Sequence, residues 1–389
     1  MRVISIGLDS KVGDPARESH AVSWVREMAR HVEGYVEVGP SQNGLDAGPI
    51  PLADNAEAWL LAGSPLAYPV RAARLAARLH AHKPFDVITT EDPIRAGLAG
   101  VLLARRTGLP LNVENHSFHI NEPVWLQEKL HHRVYNRVAI AVCRRADSIR
   151  NYSAGQTQAL LDIGVSPSRI HVVPIAAPTI SPVDEATARS RIGVGPDPFV
   201  LCAGRMVAYK NIPLLLAAFR NVSTSLRAKL LLIGDGPAKA EWQRQAASMG
   251  LGDRVIWRDT VPFDSMPAYY SAASAFAAPA LHETGPRTVL EALLCHCPVI
   301  LTPEMGVVRS GVCVHAESAY VVAPDDVQGW THALAMMLGD RQTARHMAEA
   351  GRARMGADIS FSAIARRVVD VLQDTVREAN SAAQGCDAG

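Results

Sequence analysis

Two glutamates in the second half of the chain have the spacing of a paired carboxylate site. Glu283 and Glu291 are separated by seven residues in the stretch ETGPRTVLE. Eight positions span a little over two helical turns, so two carboxylates with this spacing lie near one face. Gly285 and Pro286 break the first turn, which predicts Glu283 on the loop before the helix and Glu291 in the second turn. The alternative is a solvated helix face whose carboxylates have no joint role.

A second group of side chains could hold phosphate. The apolar run 199–204 ends in Gly204, and Arg205 and Lys210 follow in the loop before a predicted helix over 212–221. Arginine offers a fork of donors and lysine a point charge, which suits both to phosphate oxygens. The N-terminus of a helix beside Gly285 would add free backbone N–H groups and a positive dipole end. Together these features predict an anion site.

With these two motifs the chain resembles the large retaining glycosyltransferase family numbered 4, whose architecture is called GT-B. The shared features are a Gly-Arg pair at 204–205, a lysine five residues after the arginine, and a Glu-x7-Glu segment downstream. Further similar segments lie at 145–153, 169–174 and 231–237. The resemblance therefore covers nearly the whole chain.

The elements that must position these residues alternate between short apolar strands and helices. Such alternation predicts parallel sheets that are covered on both faces. The resemblance adds the arrangement: an α/β fold with two facing Rossmann-like domains and an interdomain cleft. We expect Gly39 to Pro69, which is rich in proline and glycine, to be irregular. The expected parts of the chain are an acceptor-side domain (1–180), a linker (181–197), a nucleotide-sugar domain (198–358), a helix that crosses back to the first domain (359–380), and a disordered tail (381–389).

The resemblance assigns roles in the nucleotide-sugar site. Arg205 and Lys210 would offset charge on the leaving phosphates, Glu283 would lie beside the hydroxyls of the donor sugar, and Glu291 would bind the ribose hydroxyls. No metal or other cofactor is required in this scheme. Asp259 stands where the family commonly has glycine beside the base. The expected donor contacts are Gly13, Gly204, Arg205, Lys210, Val261, Glu283, Thr284, Gly285, Pro286, Arg287, Thr288 and Glu291.

The N-terminal half is expected to supply the acceptor side. The family often carries a histidine at the end of the strand predicted at 111–114, and His116 is the candidate for a catalytic and acceptor-binding role, with His119 as a substitute. The alternative is an ordinary surface or core histidine. Glu18 and Glu122 are further acceptor candidates. Acids at strand ends would suit a polyhydroxylated, cationic acceptor such as an aminocyclitol, or they are ordinary solvated carboxylates.

Composition limits the class of protein. A chain of 389 residues with 48% hydrophobic residues is long enough for two domains. A formal charge of +1 and the lack of a basic block argue against nucleic acid as a partner. We expect no membrane span, no secretory leader and no basic amphipathic face in the first domain. Six dispersed cysteines suit a reducing cytoplasm, and the protein is expected to be a monomer or homodimer.

One departure from the family concerns the end of the second glutamate's helix. His296 replaces a glycine there, at a position that commonly needs a left-handed backbone. The run Cys295-His296-Cys297 could suggest a metal site, but it offers too few ligands, and helix-end packing is the favoured interpretation.

The function predicted from these observations is transfer of a sugar, from a UDP-sugar by preference, to a hydroxyl of a small soluble acceptor with retention of configuration. The 33 arginines against six lysines indicate a GC-rich genome, which favours an aminocyclitol or pseudodisaccharide acceptor in actinomycete antibiotic biosynthesis. The alternatives are a transferase of lipopolysaccharide, exopolysaccharide or glycolipid assembly, a sugar-nucleotide epimerase, and a non-catalytic binding partner.

Overall fold

The computed structural model describes residues 1–14, 19–115, 120–152, 154–177, 180–222, 226–283, 285–355 and 359–387. The chain divides into two compact units. Unit 1 consists of Met1–Ala176 and Ser360–Gly389, and unit 2 of Ala177–Ile359. Each unit has its own sheet and its own apolar core.

Unit 1 is built on an eight-stranded sheet in the order β3-β4-β2-β1-β5-β6-β7-β8. Every neighbouring pair is parallel except β3 and β4. The strands are β1 (Arg2–Ile6), β2 (Gly34–Pro40), β3 (Ala47–Ala53), β4 (Ala56–Leu61), β5 (Val87–Thr90), β6 (Leu111–Asn115), β7 (Ser148–Asn151) and β8 (Ile170–Val172). The predicted β/α alternation is confirmed in this unit.

The expectation of irregular structure from Gly39 to Pro69 is wrong, because this segment contains the antiparallel hairpin of β3 and β4. Asp54 and Asn55 form the two-residue connection between the paired Ala53 and Ala56. The prolines concealed the strand in the sequence. They are tolerated because β3 lies at the edge of the sheet, where a missing N–H donor breaks no ladder on the open side.

Helices cover both faces of the first sheet. They are α1 (His20–Ala29), α2 (Tyr68–His82), α3 (Arg95–Thr107), α4 (Pro123–Glu128), α5 (Leu130–Arg145), α6 (Ala154–Asp162) and, from the end of the chain, α15 (Phe361–Asp387). The last of these packs Ile364, Val368 and Leu372 into a core cluster with Val3 and Val87. It is helical to Asp387, whereas we expected disorder from 381 onward. Extending an existing helix through alanine and glutamine costs little once the helix has begun.

Unit 2 contains a six-stranded sheet in which all neighbouring strands are parallel, in the order β11-β10-β9-β12-β13-β14. The strands are β9 (Phe199–Ala203), β10 (Lys229–Ile233), β11 (Val255–Arg258), β12 (Ala275–Ala278), β13 (Val299–Leu301) and β14 (Tyr320–Val321). The helices are α7 (Glu185–Ile192), α8 (Ile212–Asn221), α9 (Lys239–Ser248), α10 (Met266–Ala272), α11 (Arg287–Leu294), α12 (Gly306–Arg309), α13 (Val327–Gly339) and α14 (Arg341–Met355). The loops after β9 and β12 carry the residues of interest, because ligands of open parallel sheets bind beyond the carboxyl ends of the strands.

Two surface features of unit 1 bear on the sequence analysis. The helix α5 exposes Leu130 and Val134 beside arginines, so the expectation of no basic amphipathic face in the first domain is wrong. Periodicity alone did not show which side of this helix the domain covers. None of the helices within the described ranges is both long and apolar enough to cross a membrane.

Candidate functional site

The loop after β9 presents an arginine whose side chain has no partner in the described part of the chain. The chain leaves β9 through Gly204, whose φ of 148° favours glycine. Arg205 follows and is exposed. Its guanidinium makes no hydrogen bond or ion pair with any residue that the structure describes. An unpaired guanidinium at the carboxyl end of a parallel strand is suited to bind an anion.

Two further glycines hold this loop in place, and the sequence analysis did not assign them a role. Gly234 and Gly236 follow β10 with φ values of 141° and 155°. A Cβ on Gly234 would lie 2.0 Å from the carbonyl oxygen of Gly204, and one on Gly236 would lie 2.4 Å from that of Met206. The Met206 N–H donates to the Asp235 carbonyl at 2.8 Å. Only glycine lets the two backbones approach so closely, so these residues serve to pack the Arg205 loop.

Lys210 lies at the end of a short 3₁₀ turn in the same loop and forms an ion pair with Glu283. The Lys210 Nζ donates to the Glu283 Oε2 at 2.7 Å, and both side chains are less than a quarter exposed (16% and 23%). Burial lowers the pKa of Lys210, but the adjacent Glu283 carboxylate raises it by more, so the net pKa lies above its usual value. The lysine therefore stays charged, and it retains two N–H donors for a ligand.

The position of Glu283 is set by its backbone as well as by Lys210. Its carbonyl oxygen accepts from the Gly306 N–H at 2.8 Å, and it forms an isolated β-bridge with Met305. Two separate segments therefore hold the first glutamate on the loop before α11, where the spacing predicted it. Thr284, the next predicted contact, lies outside the described residues.

An aromatic stack that the sequence analysis missed joins the lysine and glutamate loops. The rings of Tyr209 and His282 lie 5.4 Å apart between centroids, at an interplanar angle of 15°. The Leu281 N–H also donates to the Tyr209 carbonyl oxygen at 2.8 Å. Tyr209 directly precedes Lys210, and His282 directly precedes Glu283. Contacts between Tyr209 and the 281–282 segment therefore restrain both members of the ion pair. No short-range pattern in the sequence links positions so far apart.

The second glutamate is buried in α11. Glu291 is 7% exposed, and its Oε2 accepts from the Tyr270 hydroxyl at 2.7 Å. Burial raises the pKa of Glu291, while the Tyr270 hydroxyl and Arg287 lower it, and the net pKa lies above the usual value. The helix itself begins at Arg287 after Pro286, as the sequence predicted. Thr288, in its first turn, is half-buried.

The Tyr270 hydrogen bond predicts a pH-dependent stability. Since the folded-state pKa of Glu291 exceeds its unfolded value of 4.5, its contribution to stability is greatest below that pH and is lost as pH rises through the folded pKa. Tyr270→Phe removes a group that lowers this pKa. We expect it to cost about 1.5–3 kcal/mol at pH 8, where the carboxylate is charged, and less at pH 5. Urea unfolding at both pH values measures this, and the difference between them should disappear in Tyr270→Phe/Glu291→Gln.

The predicted base-side residues lie after β11. Val261 is half-buried, and Asp259 pairs with Lys239 of α9. The carboxylate of Asp259 is 90% exposed. The side chain that replaces the common glycine is thus held at the surface by a lysine of the neighbouring helix.

The predicted acceptor residues lie in unit 1 or outside the described residues. Glu18, His116 and His119 lie outside the described residues. Gly13, which was predicted as a donor contact and also lies in unit 1, ends a 3₁₀ turn after β1, where a Cβ would lie 2.3 Å from the Cδ1 of Leu60, so the glycine permits close packing there. Glu122 is half-buried, and its carbonyl oxygen accepts from Leu126 near the start of α4.

The other strand-end acids have partners within unit 1. Glu114 accepts from Arg150 at 2.8 Å and from the Tyr152 hydroxyl. Glu91 accepts from the Leu8 N–H at 2.6 Å. These contacts support the view that these acids are structural. Burial and the charge of Glu91 also raise the pKa of Glu37, a buried glutamate of β2 that the hydrophobic pattern of its strand concealed.

The alternative of a metal site at Cys295-His296-Cys297 gains no support. Both cysteines are buried, and His296 ends α11 with a φ of 58°, which confirms the left-handed conformation expected there. Across the described ranges, no three His, Cys, Asp or Glu side chains are grouped so that they could hold a metal ion. Packing at the end of the helix accounts for the run.

The two units, each built on a largely parallel sheet, have the GT-B class of fold, which solved glycosyltransferase structures share. The family matches agree with this class. Residues 184–354 match the family described as Glycosyl transferases group 1. Residues 16–176 match the Glycosyl transferase 4-like domain. Each family model covers less than half of the chain, and together the two glycosyltransferase models span residues 16–354 except 177–183.

Individual relatives are distant. The GDP-mannose-dependent alpha-(1-6)-phosphatidylinositol monomannoside mannosyltransferase of Mycolicibacterium smegmatis is 30% identical over 44% of this chain and 46% of its own length. The 2-deoxystreptamine glucosyltransferase of Streptomyces kanamyceticus is 26% identical over 57% of this chain and 60% of its own length. The match thus spans about half of the first relative. Anabaena HepE in complex with UDP-glucose has the same fold, with a TM-score of 0.77, 17% identity, and coverage of 96% of this chain and 100% of its own.

Proposed function

We propose that the protein transfers a sugar from a nucleoside-diphosphate sugar, with a UDP-sugar as the favoured donor, to a hydroxyl group of a small acceptor. The observation that carries this proposal is the loop at the carboxyl end of β9, which holds both the Lys210–Glu283 pair and Arg205, a side chain with no partner among the described residues. The UDP-glucose bound by HepE, which shares the fold, supports the choice of donor. The five cysteines whose side chains the structure describes are all free thiols, which supports a reaction in the cytoplasm. The protein would carry out this reaction as a monomer or as a homodimer.

The site residues suggest how the chemistry would proceed. The bond between the anomeric carbon and the diphosphate oxygen breaks while the acceptor oxygen bonds to that carbon on the same face, and the leaving phosphate oxygen takes the acceptor proton. Arg205 and Lys210 would stabilise the charge that develops on the diphosphate. The Oε1 of Glu283 would accept from a sugar hydroxyl, because Oε2 is occupied by Lys210. Retention of configuration at the anomeric carbon is what the resemblance to family 4 implies. The proposed scheme requires no metal.

The remaining predicted contacts complete the proposal. Glu291 would hold the ribose through the carboxylate oxygen that Tyr270 leaves available. The N-terminus of α11, with Gly285 before it and Arg287 and Thr288 in its first turn, would add donors for the phosphates. His116 remains the proposed catalytic and acceptor residue from unit 1.

For the acceptor, we propose a polyhydroxylated amine such as an aminocyclitol, within antibiotic biosynthesis. The similarity to a 2-deoxystreptamine glucosyltransferase supports this choice. The strand-end acids give it less support, because Glu91 and Glu114 are engaged within unit 1. A glycolipid acceptor is the second candidate, and the similarity to a phosphatidylinositol mannoside mannosyltransferase favours it.

The donor site is tested by thermal unfolding with UDP, GDP, ADP and dTDP. A nucleotide at about a hundred times its dissociation constant should stabilise the wild type by roughly 2.7 kcal/mol. We expect Arg205→Ala to lose most of this stabilisation and Arg220→Ala, an exposed arginine at the end of α8, to keep it. Equal stabilisation of both variants would show that Arg205 does not bind phosphate. No response of the wild type to any nucleotide would overturn the donor-site assignment.

A further inference from the structure

Two buried carboxamides lie side by side at the carboxyl ends of β6 and β7. Asn115 is the last residue of β6 and Asn151 is the last of β7, and the two are paired in register. Asn115 is 2% exposed and Asn151 is fully buried. Residues that face each other in a ladder point to the same side of the sheet, so both side chains share the side of Val113 and Ile149.

The side-chain oxygens of these two residues lack partners. Neither the Oδ1 of Asn115 nor the Oδ1 of Asn151 accepts a hydrogen bond from any group in the described part of the chain. A buried oxygen without a donor destabilises a fold, because it has lost its bonds to water. Two such oxygens in neighbouring register positions indicate a ligand that offers two hydrogens.

The carboxamide donors around the pair are already engaged. The Asn151 Nδ2 donates to the Thr157 Oγ1 at 3.0 Å. Gln156 of α6 is 1% exposed, its Nε2 donates to the carbonyl oxygen of Asn115 at 2.9 Å, and its Oε1 accepts from the Tyr152 N–H at 2.8 Å. The Thr157 hydroxyl accepts from Asn151 and still has its own hydrogen to donate.

We propose that Asn115 and Asn151 bind one buried water molecule between them. Neighbouring strands lie about 4.8 Å apart, and one water with hydrogen bonds of about 2.8 Å joins two oxygens about 4.5 Å apart. Its two hydrogens go to the two Oδ1 atoms, and its oxygen accepts from the Thr157 hydroxyl. Three hydrogen bonds are typical of a buried water. A calcium or magnesium ion would need about six oxygen ligands, more than this site supplies.

The direct test is a crystal structure of the full-length protein alone, at a resolution that shows ordered waters. We expect density for one water oxygen within hydrogen-bonding distance of both Oδ1 atoms. Lack of density at this position overturns the proposal, and so does a direct hydrogen bond between the two carboxamides. No sugar nucleotide is needed, so the result does not depend on the proposed function.

Asn115→Leu tests the site in solution through the sign of its effect, because leucine has nearly the shape of asparagine. With water bound, the variant leaves a water hydrogen without its acceptor, and the melting temperature should fall by about 2–6 °C. A rise would mean that the variant relieved an unbonded oxygen, and it would overturn the proposal. Asn115→Leu/Asn151→Leu removes both acceptors, so its loss should be smaller than the sum of the single losses. Asn43→Leu, at an exposed site of unit 1, is the matched control and should change little.

The bound water also fixes the strand end that leads to His116, which directly follows Asn115. This consequence rests on the proposed function and makes Asn115 a positioning residue. Asn115→Leu should lower kcat for UDP release from UDP-glucose by about tenfold or more and should keep stabilisation by nucleotide, since Arg205 and Lys210 lie in unit 2. An unchanged kcat in the folded variant overturns the positioning role. A wild type that releases no UDP contradicts the proposed function, while the crystal structure still decides the water site.

Discussion

Lys210→Ala is expected to lower kcat by about 100- to 1000-fold, the range found when a preorganised donor to a developing negative charge is removed. Lys210 is held 2.7 Å from Glu283 and has its charge secured by that carboxylate, so it is already oriented before the leaving diphosphate forms. Release of UDP from UDP-glucose or UDP-N-acetylglucosamine is the measurement. Lys229→Ala is the matched control, because Lys229 begins β10, at the amino end of the strands and away from the site, and donates to the Asp253 carbonyl oxygen.

The double variant Lys210→Ala/Glu283→Gln separates catalysis from stability. Lys210→Ala leaves a partly buried carboxylate without its partner, which destabilises the fold, and Glu283→Gln removes that charge. We therefore expect the double variant to recover thermal stability but not activity. If Lys210→Ala stays folded and retains kcat within tenfold of the wild type, Lys210 does not stabilise the leaving group.

Gly234→Ala is expected to reduce the free energy of unfolding by about 3 kcal/mol or more and to abolish stabilisation by nucleotide. The new Cβ would lie 2.0 Å from the Gly204 carbonyl oxygen, and the φ of 141° is itself unfavourable for alanine. Relief requires the loop of Gly234 and the loop that carries Arg205 to move apart, which disturbs the support of Arg205. Urea unfolding and nucleotide-dependent thermal shifts measure the two effects.

Gly250→Ala measures the cost of the unfavourable backbone conformation alone, without a steric clash. Gly250 has a φ of 74°, and an added Cβ would meet nothing within 4 Å, so the cost should be about 1–2 kcal/mol, with nucleotide binding retained. Equal costs for the two substitutions would mean that the close approach of the two loops contributes nothing.

Much of the fold and of the candidate site could be predicted from the sequence, because the relevant patterns are local. The β/α alternation predicted the parallel sheets, and the spacing of Glu283 and Glu291 placed one on a loop and the other inside α11. The break before α11 was predicted from a glycine and a proline, and the left-handed residue after its end was predicted from its position. Both predictions rest on the backbone preferences of single residues. Such preferences act over a few positions and are visible in the chain itself.

The hairpin of β3 and β4 could not be predicted in this way. Its prolines argue against a strand, and they are acceptable only because β3 occupies the edge of the sheet. Edge position is a property of the assembled sheet. The same holds for Glu37, a charged residue within a buried strand.

The sequence by itself determined the class of fold, the cations of the loop after β9, and the glutamate pair, since side-chain chemistry and periodicity are encoded locally. Only the tertiary structure decided that Lys210 pairs with Glu283 across 73 positions, and that Tyr209 stacks on His282. It also decided that Gly234 supports the Arg205 loop and that α5 leaves a basic, apolar side uncovered. These outcomes depend on which segments pack together, because burial and contact are set by neighbours that lie far apart in the chain.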